Sequence, residues 1–314
     1  MKKKGKILVL DDEQIVLDGV SRILEAEDYE VQAVTKASEA LDTLKRGGLD
    51  VFLTDMKMPG MDQLQAMKSV SEIDPDLSVI MFSGYATVDS AVQAMRLGAA
   101  DYMEKPFTPD RLADIVNKSI ADRKARYEKR HREDAFEELK KVIFSTLNLR
   151  EVLNLIVKGV VEIMKVKGST LSLVDKRHGQ LRIAAHDGLS GEYVNKGHLD
   201  ASKSIGETIM NGKSVLIDDV AGDSRIQYPR EALREGVKSI LSVPLIVRND
   251  VIGTLRAYTD KIGSFAEEEI GFFQGFAEQA AHAIENSRSF EAAKEEYEDL
   301  REDLWELFDK YGWL

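Results

Sequence analysis

The stretch 53-LTDMKMPGMD-62 decides how the first third of the chain folds. A short apolar run ends in an aspartate, Asp55, and a Met-Pro-Gly turn follows at once. Short apolar runs bounded by turn residues read as strands buried on both faces. Working outward, Ile7–Leu10 is another such run, and it ends in the pair Asp11-Asp12. Tyr29–Val34, Val79–Phe82 and Ala100–Met103 are three more; Ser83 closes the second, and Lys105-Pro106 follows the third. Between the runs, apolar residues recur at helical spacing, as in Ile15, Val16, Val20, Ile23 and Leu24. Five strands interleaved with five helices predict an α/β domain with a doubly wound, five-stranded parallel sheet.

In such sheets the ligand site lies beyond the carboxyl ends of the strands. Asp11, Asp12, Asp55, Ser83 and Lys105 all fall at those ends, so the topology itself predicts that they cluster. Three carboxylates close together repel one another and suit a divalent cation. Mg²⁺ takes oxygen ligands and keeps several waters, so Asp12 and Asp55 supply carboxylates and Asp11 holds a ligand water. Asp55 is then placed to attack a phosphoryl group, Lys105 to pair with one of its oxygens, and Ser83 to donate a hydrogen bond to another.

These motifs, DD at 11–12, D at 55, SGYA at 83–86 and KPF at 105–107, resemble the receiver domain of two-component response regulators over residues 4–122. The texts LTDMKMPGMD and FSGYATVDSAVQAMRLGAADYMEKPF are most similar to the nitrogen-regulator subgroup. The resemblance implies a flavodoxin-like fold with Asp55 as phosphoacceptor and a sensor histidine kinase or phosphotransfer protein as donor. It also implies that the Lys57 carbonyl completes the metal shell and that Tyr102 swings inward when Ser83 moves toward the phosphate. Lys57 and Tyr85 flank the site where water access is tuned. The sequence departs from the family text at Gln63, where Gly is usual, and at Ser83, where Thr is commoner. Neither change removes a reactive atom.

Composition bounds the rest. A chain of 314 residues suggests about two domains. Its net charge of −12 argues against general nucleic-acid binding. There is no cysteine, which excludes disulfides, thiolate metal sites and thioether-linked bilins. Lys2, Lys3, Lys4 and Lys6 read as a solubilising cap, too close to the first strand for a signal peptide. No run approaches the ~20 apolar residues of a membrane span, so a cytoplasmic location and no membrane partner are expected.

The last receiver helix starts at Thr108-Pro109, and nothing stops it. RKARYEKRHRED at 123–134 holds six Lys or Arg, three acids and no Gly or Pro, which predicts a solvated helical linker over 123–136. Two helical patterns follow, and then strand text at Ser169–Val174, Leu181–Ala185, Val215–Ile217, Ser239–Val247 and Val251–Thr259. A helix at Ile205–Met210 precedes the third of these, and Arg248-Asn249-Asp250 is the turn of a hairpin. The order predicts an α+β domain with an antiparallel sheet. GSTLSLVD at 168–175, IGETIMNGKSVLIDDV at 205–220, SILSVPLIVRNDVIGTLRAY at 239–258 and SFAEEEIGFFQGFAEQAAHAIENS at 264–287 resemble a GAF domain over residues 137–287. The resemblance puts any pocket near Arg225, Tyr228, Ser242 and Pro244 and leaves the GAF ligand unknown. Asp260-Lys261, Phe265 and Glu269-Ile270 match the cyclic-nucleotide-binding text only in part. His178, His186 and His198 lie in loop-like text and read as surface residues rather than haem or metal ligands.

The final helix continues past the domain. Phe276, Ala280, Ala283, Ser287, Phe290, Lys294, Tyr297, Arg301, Leu304, Phe308 and Tyr311 recur in alternating steps of four and three, a coiled-coil seam weakened by its two cations. Residues 288–314 carry nine acids against four Lys or Arg, with Trp305, Trp313 and Leu314 as candidate anchors, which suits a protein partner rather than DNA. The expected molecule is a response regulator that signals through its GAF domain and tail, as a homodimer joined by linker and tail helices or to an unidentified protein effector. Two rivals remain open: a small-molecule-sensing GAF scaffold, and a transcription regulator without a recognisable DNA-binding motif. Beyond phosphoryl transfer to and from its own aspartate, no enzyme activity is expected.

Overall fold

The computed structural model describes residues 3–58, 62–84, 87–175, 180–197 and 204–311. The chain divides between His131 and Arg132 into two units, each with its own sheet and core. Among the described residues no helix is long and apolar enough to cross a membrane.

The first unit alternates β1 (Lys6–Leu10), α1 (Gln14–Ala26), β2 (Glu30–Val34), α2 (Ala37–Arg46), β3 (Val51–Asp55), α3 (Gln63–Ile73), β4 (Ser78–Ser83), α4 (Val88–Arg96), β5 (Asp101–Glu104) and α5 (Pro109–Ser145). The strands are parallel in the order β2-β1-β3-β4-β5. Successive side chains of a strand point to opposite faces. Ile7 and Val9 therefore join the core under α1 and α5 with Leu17, Val20, Leu112 and Val116. Leu8 and Leu10 join the other core with Ala40, Leu44, Met67, Val70 and Ala94. The sheet order reverses direction at β1 and β3, and the crevice there opens at their carboxyl ends.

Local chemistry fixes the helix starts. The Asp62 carboxylate accepts from the Leu64 and Gln65 amides, so α3 opens at Gln63 without the usual Gly. Thr87 and Ser90 form a reciprocal capping box on α4. The charged stretch 123–134 is helical throughout but not uniformly solvated. Arg123 pairs with Asp74 at 2.8 Å and Asp50 at 3.4 Å. Arg126 donates to the Ser78 hydroxyl at 2.8 Å, and Arg130 meets the Asp76 carboxylate. Steps of three and four residues put these arginines on one helical face.

The second unit takes in the end of α5 and then α6 (Leu149–Met164), β6 (Gly168–Asp175), β7 (Gln180–Asp187), α7 (Gly191–Val194), α8 (Ser204–Asn211), β8 (Val215–Ile217), α9 (Pro229–Arg234), β9 (Ser239–Val247), β10 (Asp250–Thr259) and α10 (Glu267–Tyr311). Its sheet is antiparallel, in the order β7-β6-β10-β9-β8. Arg248 and Asn249 have φ of 49° and 72°, the left-handed pair that a two-residue type I′ hairpin requires, and Asp250 already pairs with Val247 in the ladder. Leu171, Leu241, Val243, Leu245, Leu255 and Ala257 face one core with α6 and α10. In it the helices approach closely. A Cβ on Gly159 of α6 would run into the Leu139 side chain of α5, which would have to shift to admit it. β8 covers only residues 240–242 of β9, and from Val243 onward that edge has no strand partner among the described residues.

Candidate functional site

Strands β1, β3 and β4 deliver an acid or a hydroxyl at the crevice because the polar residue directly ends an apolar run. Asp11 follows β1 and is fully buried; Asp55 ends β3 and Ser83 ends β4, both buried; Asp12 beside them is exposed. One carboxylate oxygen from each of Asp11, Asp12 and Asp55 lies within 4.8 Å of the others. Lys105 follows β5, and its ammonium bridges the cluster, 2.5 Å from Asp11 Oδ2 and 2.6 Å from Asp55 Oδ2. Burial alone would lower the Lys105 pKa, but the hydrogen bonds to Asp11 and Asp55 outweigh it and hold the pKa above its ordinary value. The ammonium also sits 4.7 Å from the centre of the Phe82 ring.

Backbone amides fix both inner carboxylates. Lys57 N–H donates to Asp55 Oδ1 at 2.7 Å and Glu13 N–H to Asp11 Oδ1 at 2.9 Å. This leaves Asp55 Oδ2 on the lysine side. The Lys105 amide donates to the Ser83 carbonyl at 2.9 Å, which holds those two residues side by side. The Tyr102 hydroxyl lies 2.9 Å from Ser90 Oγ in the first turn of α4, with the ring half-buried. Tyr85 and the Pro59-Gly60 turn lie outside the described residues.

Residues 7–117 match the model of the response regulator receiver domain, and residues 146–285 match that of the GAF domain. The chain is a receiver domain followed by a GAF domain. The receiver is similar to that of the transcriptional regulatory protein FixJ of Bradyrhizobium diazoefficiens, 32% identical over 38% of this chain and 58% of the relative. The DNA-binding transcriptional regulator NtrC of Proteus hauseri is 29% identical over 49% of this chain and 33% of the relative. The matches span only 24% to 58% of the length of such relatives. A GAF domain from a phosphoenolpyruvate-protein phosphotransferase of Coxiella burnetii is 23% identical and covers 51% of this chain and 96% of its own, with a TM-score of 0.47. The receiver match is to a domain of response regulators. Receiver domains bind Mg²⁺ at an acidic pocket, and the all-oxygen cluster of Asp11, Asp12 and Asp55 fits that hard cation.

In the GAF domain the four residues named from family text stand on β9 (Ser242 and Pro244) and on the loop that leads into α9 (Arg225 and Tyr228). Arg225 staples its own loop, with Nη2 donating to Asp223 at 2.6 Å and to the Leu216 carbonyl at 3.0 Å. That pairing holds Asp223 below the usual carboxylate range. Pro244 lines a cleft of about 720 Å³ at the open edge of β9, with Lys213, Arg248, Gln274, Glu278 and His282. Ser242 is buried on the opposite face from α10, and its hydroxyl accepts from Arg256 Nε at 2.7 Å. The Tyr228 hydroxyl fills the space beside Gly197, where φ is 137° and a Cβ would lie 2.6 Å away. His186 is exposed, while His178 and His198 lie outside the described residues.

Arg256 escaped the motif reading, yet its signal is in the text. VIGTLRAYT is a strand whose one charge stands among apolar and small residues, and that charge is 7% exposed. Lys196 was missed as well. Its ammonium lies 3.2 Å from the centre of the Tyr193 ring, and burial first, then the charge of Arg256, brings its pKa down to about 7.

Proposed function

We propose that this protein is a response regulator phosphorylated on Asp55 by a sensor histidine kinase or a phosphotransfer protein. The observation that carries the reading is the Lys105 ammonium bridging Asp11 and Asp55 within 2.6 Å at three strand ends. An Asp55 carboxylate oxygen attacks the phosphorus of a phosphohistidine; the P–N bond breaks, a P–O bond forms, and the histidine nitrogen takes up a proton. Lys105, released from Asp55, pairs with a phosphoryl oxygen, and the Ser83 hydroxyl donates to another. Mg²⁺ held by Asp11, Asp12, Asp55 and the Lys57 carbonyl would neutralise charge on the group in transfer. Ser83 moves toward the phosphoryl group, and the Tyr102 hydroxyl leaves Ser90. The partition we propose is a receiver over 1–122, a linker over 123–136, a GAF domain over 137–287 and a tail over 288–314.

Output is assigned to a homodimer made by the linker and tail. α10 buries Phe276, Ala280, Ala283 and Ser287 against its own domain, but the same seam then exposes Phe290, Tyr297 and Leu304, with Leu300 and Trp305 beside it. Trp313 and Leu314 lie outside the described residues. Native mass spectra with Mg²⁺ and acetyl phosphate test both parts. A single phosphoryl adduct, absent in Asp55→Asn, together with a dimer lost in Leu304→Glu, is the expected result. An adduct that survives Asp55→Asn would sink the assignment of the acceptor, and a monomer at every concentration would sink the dimer.

A further inference from the structure

We propose that the cleft at the open edge of β9 seats the α10 tail of a second copy of this chain. This rests on the homodimer proposed above, not on phosphorylation, and it fixes how the two copies meet. The cleft of about 720 Å³ runs from the loop before β8 to the outer side of α10, all within the second unit. Its apolar part is Val243, Pro244 and the exposed Ile246. Its charged part is Lys213, Arg248 and His282 against one acid, Glu278. Among the described residues none of these four forms an ion pair. A cationic rim over an apolar floor stands out on a chain of net charge −12, and an acidic amphipathic helix complements it.

The tail of α10 has that chemistry. α10 is one helix over Glu267–Tyr311, so positions three and four apart share a side of it. Counted that way from His282, one side passes Asn286, Ser289 and Ala293 and reaches Tyr297, Leu300 and Leu304, all of them exposed. Glu296 and Asp303 flank Leu300, one helical turn before and one after. Leu300 stands 18 residues beyond His282, about 27 Å along the helix, so a copy's own tail does not reach its own cleft. A two-fold axis near Glu291 pairs two α10 helices antiparallel and sets each Leu300 beside the partner's His282. Ser289 and Ala293 then face each other across the axis, small enough for the helices to approach closely. Leu300 and Leu304 go to the apolar floor, and Glu296 and Asp303 to the rim of Lys213 and Arg248. The contact is isologous: each copy gives one tail and receives one.

The rival geometry is a parallel pairing of the two tails, which leaves the cleft empty. Charge reversal separates the two in native mass spectra of the full-length protein. Lys213→Glu with Arg248→Glu should weaken the dimer at least about tenfold, and so should Glu296→Lys with Asp303→Lys. Mixed one to one, the two variants should form a heterodimer, because both of its contacts then join opposite charges. The native chain has no cysteine, so introduced ones give a second reading if the reversed variants do not fold. His282→Cys mixed with Leu300→Cys should give a disulfide-linked dimer on oxidation, and Leu300→Cys alone should not. A dimer indifferent to reversal of the cleft, no heterodimer on mixing, or a Leu300→Cys variant that links only to itself would each overturn this seat and leave the homodimer standing. A wild-type chain that is monomeric at every concentration would remove the homodimer and the seat together, with the phosphoryl adduct on Asp55 untouched.

Discussion

The two sheets of this protein hold their polar chemistry in different places. The receiver sheet is buried on both faces and sends every reactive group to one end, where Asp55 and Ser83 close their strands and Asp11 and Lys105 follow theirs directly. The GAF sheet keeps one face apolar and carries its polar groups on the other, at alternate positions along β6, β9 and β10. A parallel sheet covered by helices on both sides leaves only its ends for a site. An antiparallel sheet can spend a whole face.

If the receiver's end is the reactive centre, the largest effect follows from removing its cation. Lys105→Met should slow phosphorylation by acetyl phosphate about 10²-fold or more, read as intact mass against time. A rate equal to wild type would move the chemistry away from the strand ends. The next effect tests the apolar face of the other sheet. Leu241→Ala removes a fully buried side chain from the GAF core and should cost about 2–5 kcal/mol in denaturant unfolding, with the receiver's phosphorylation rate unchanged.

A smaller effect separates the polar face from the strand ends by pH. Lys196 has a folded pKa of about 7, well below its ordinary value, so the unfolded chain binds more protons between that value and the ordinary lysine range. Stability of the GAF domain should therefore rise as pH increases through that window, with the penalty fully present below it. Lys196→Gln should flatten the rise, and thermal melts at pH 6 and pH 9 would show it. An identical slope in the variant would mean that Lys196 titrates normally. Smallest is the arginine staple on α5. Arg126→Ala should cost on the order of 1 kcal/mol or less and speed amide exchange around residues 120–130.

This contrast also explains what could be read in advance. The receiver cluster was legible because each group stands within two residues of the end of an apolar run, so four short words in the sequence name it. The order of strands was legible in both domains, down to the Arg248-Asn249 turn, while the short helices α7 and α9 were not read. Arg256 was not, because its meaning depends on which face α8 covers and on partners 14 to 86 positions away along the chain, as Ser242 and Thr170 are. Nor were the returns of Arg123 and Arg126 to Asp74 and Ser78, 49 and 48 residues back. A charge run shows its helix but not its counter-charges. The same limit applies to Arg225, whose bonds to Asp223 and the Leu216 carbonyl the family text does not show.

The short strand β8 has a consequence for handling the protein at high concentration. It stops after three residues and, among the described residues, leaves the outer edge of β9 open from Val243. An open strand edge is a template on which another chain can add and grow into fibres. Pro244 stands as the second residue of that open stretch, with no amide hydrogen to offer an incoming strand. It acts there as a stopper, and Pro244→Thr would turn a quiet rim into a growth point for aggregates.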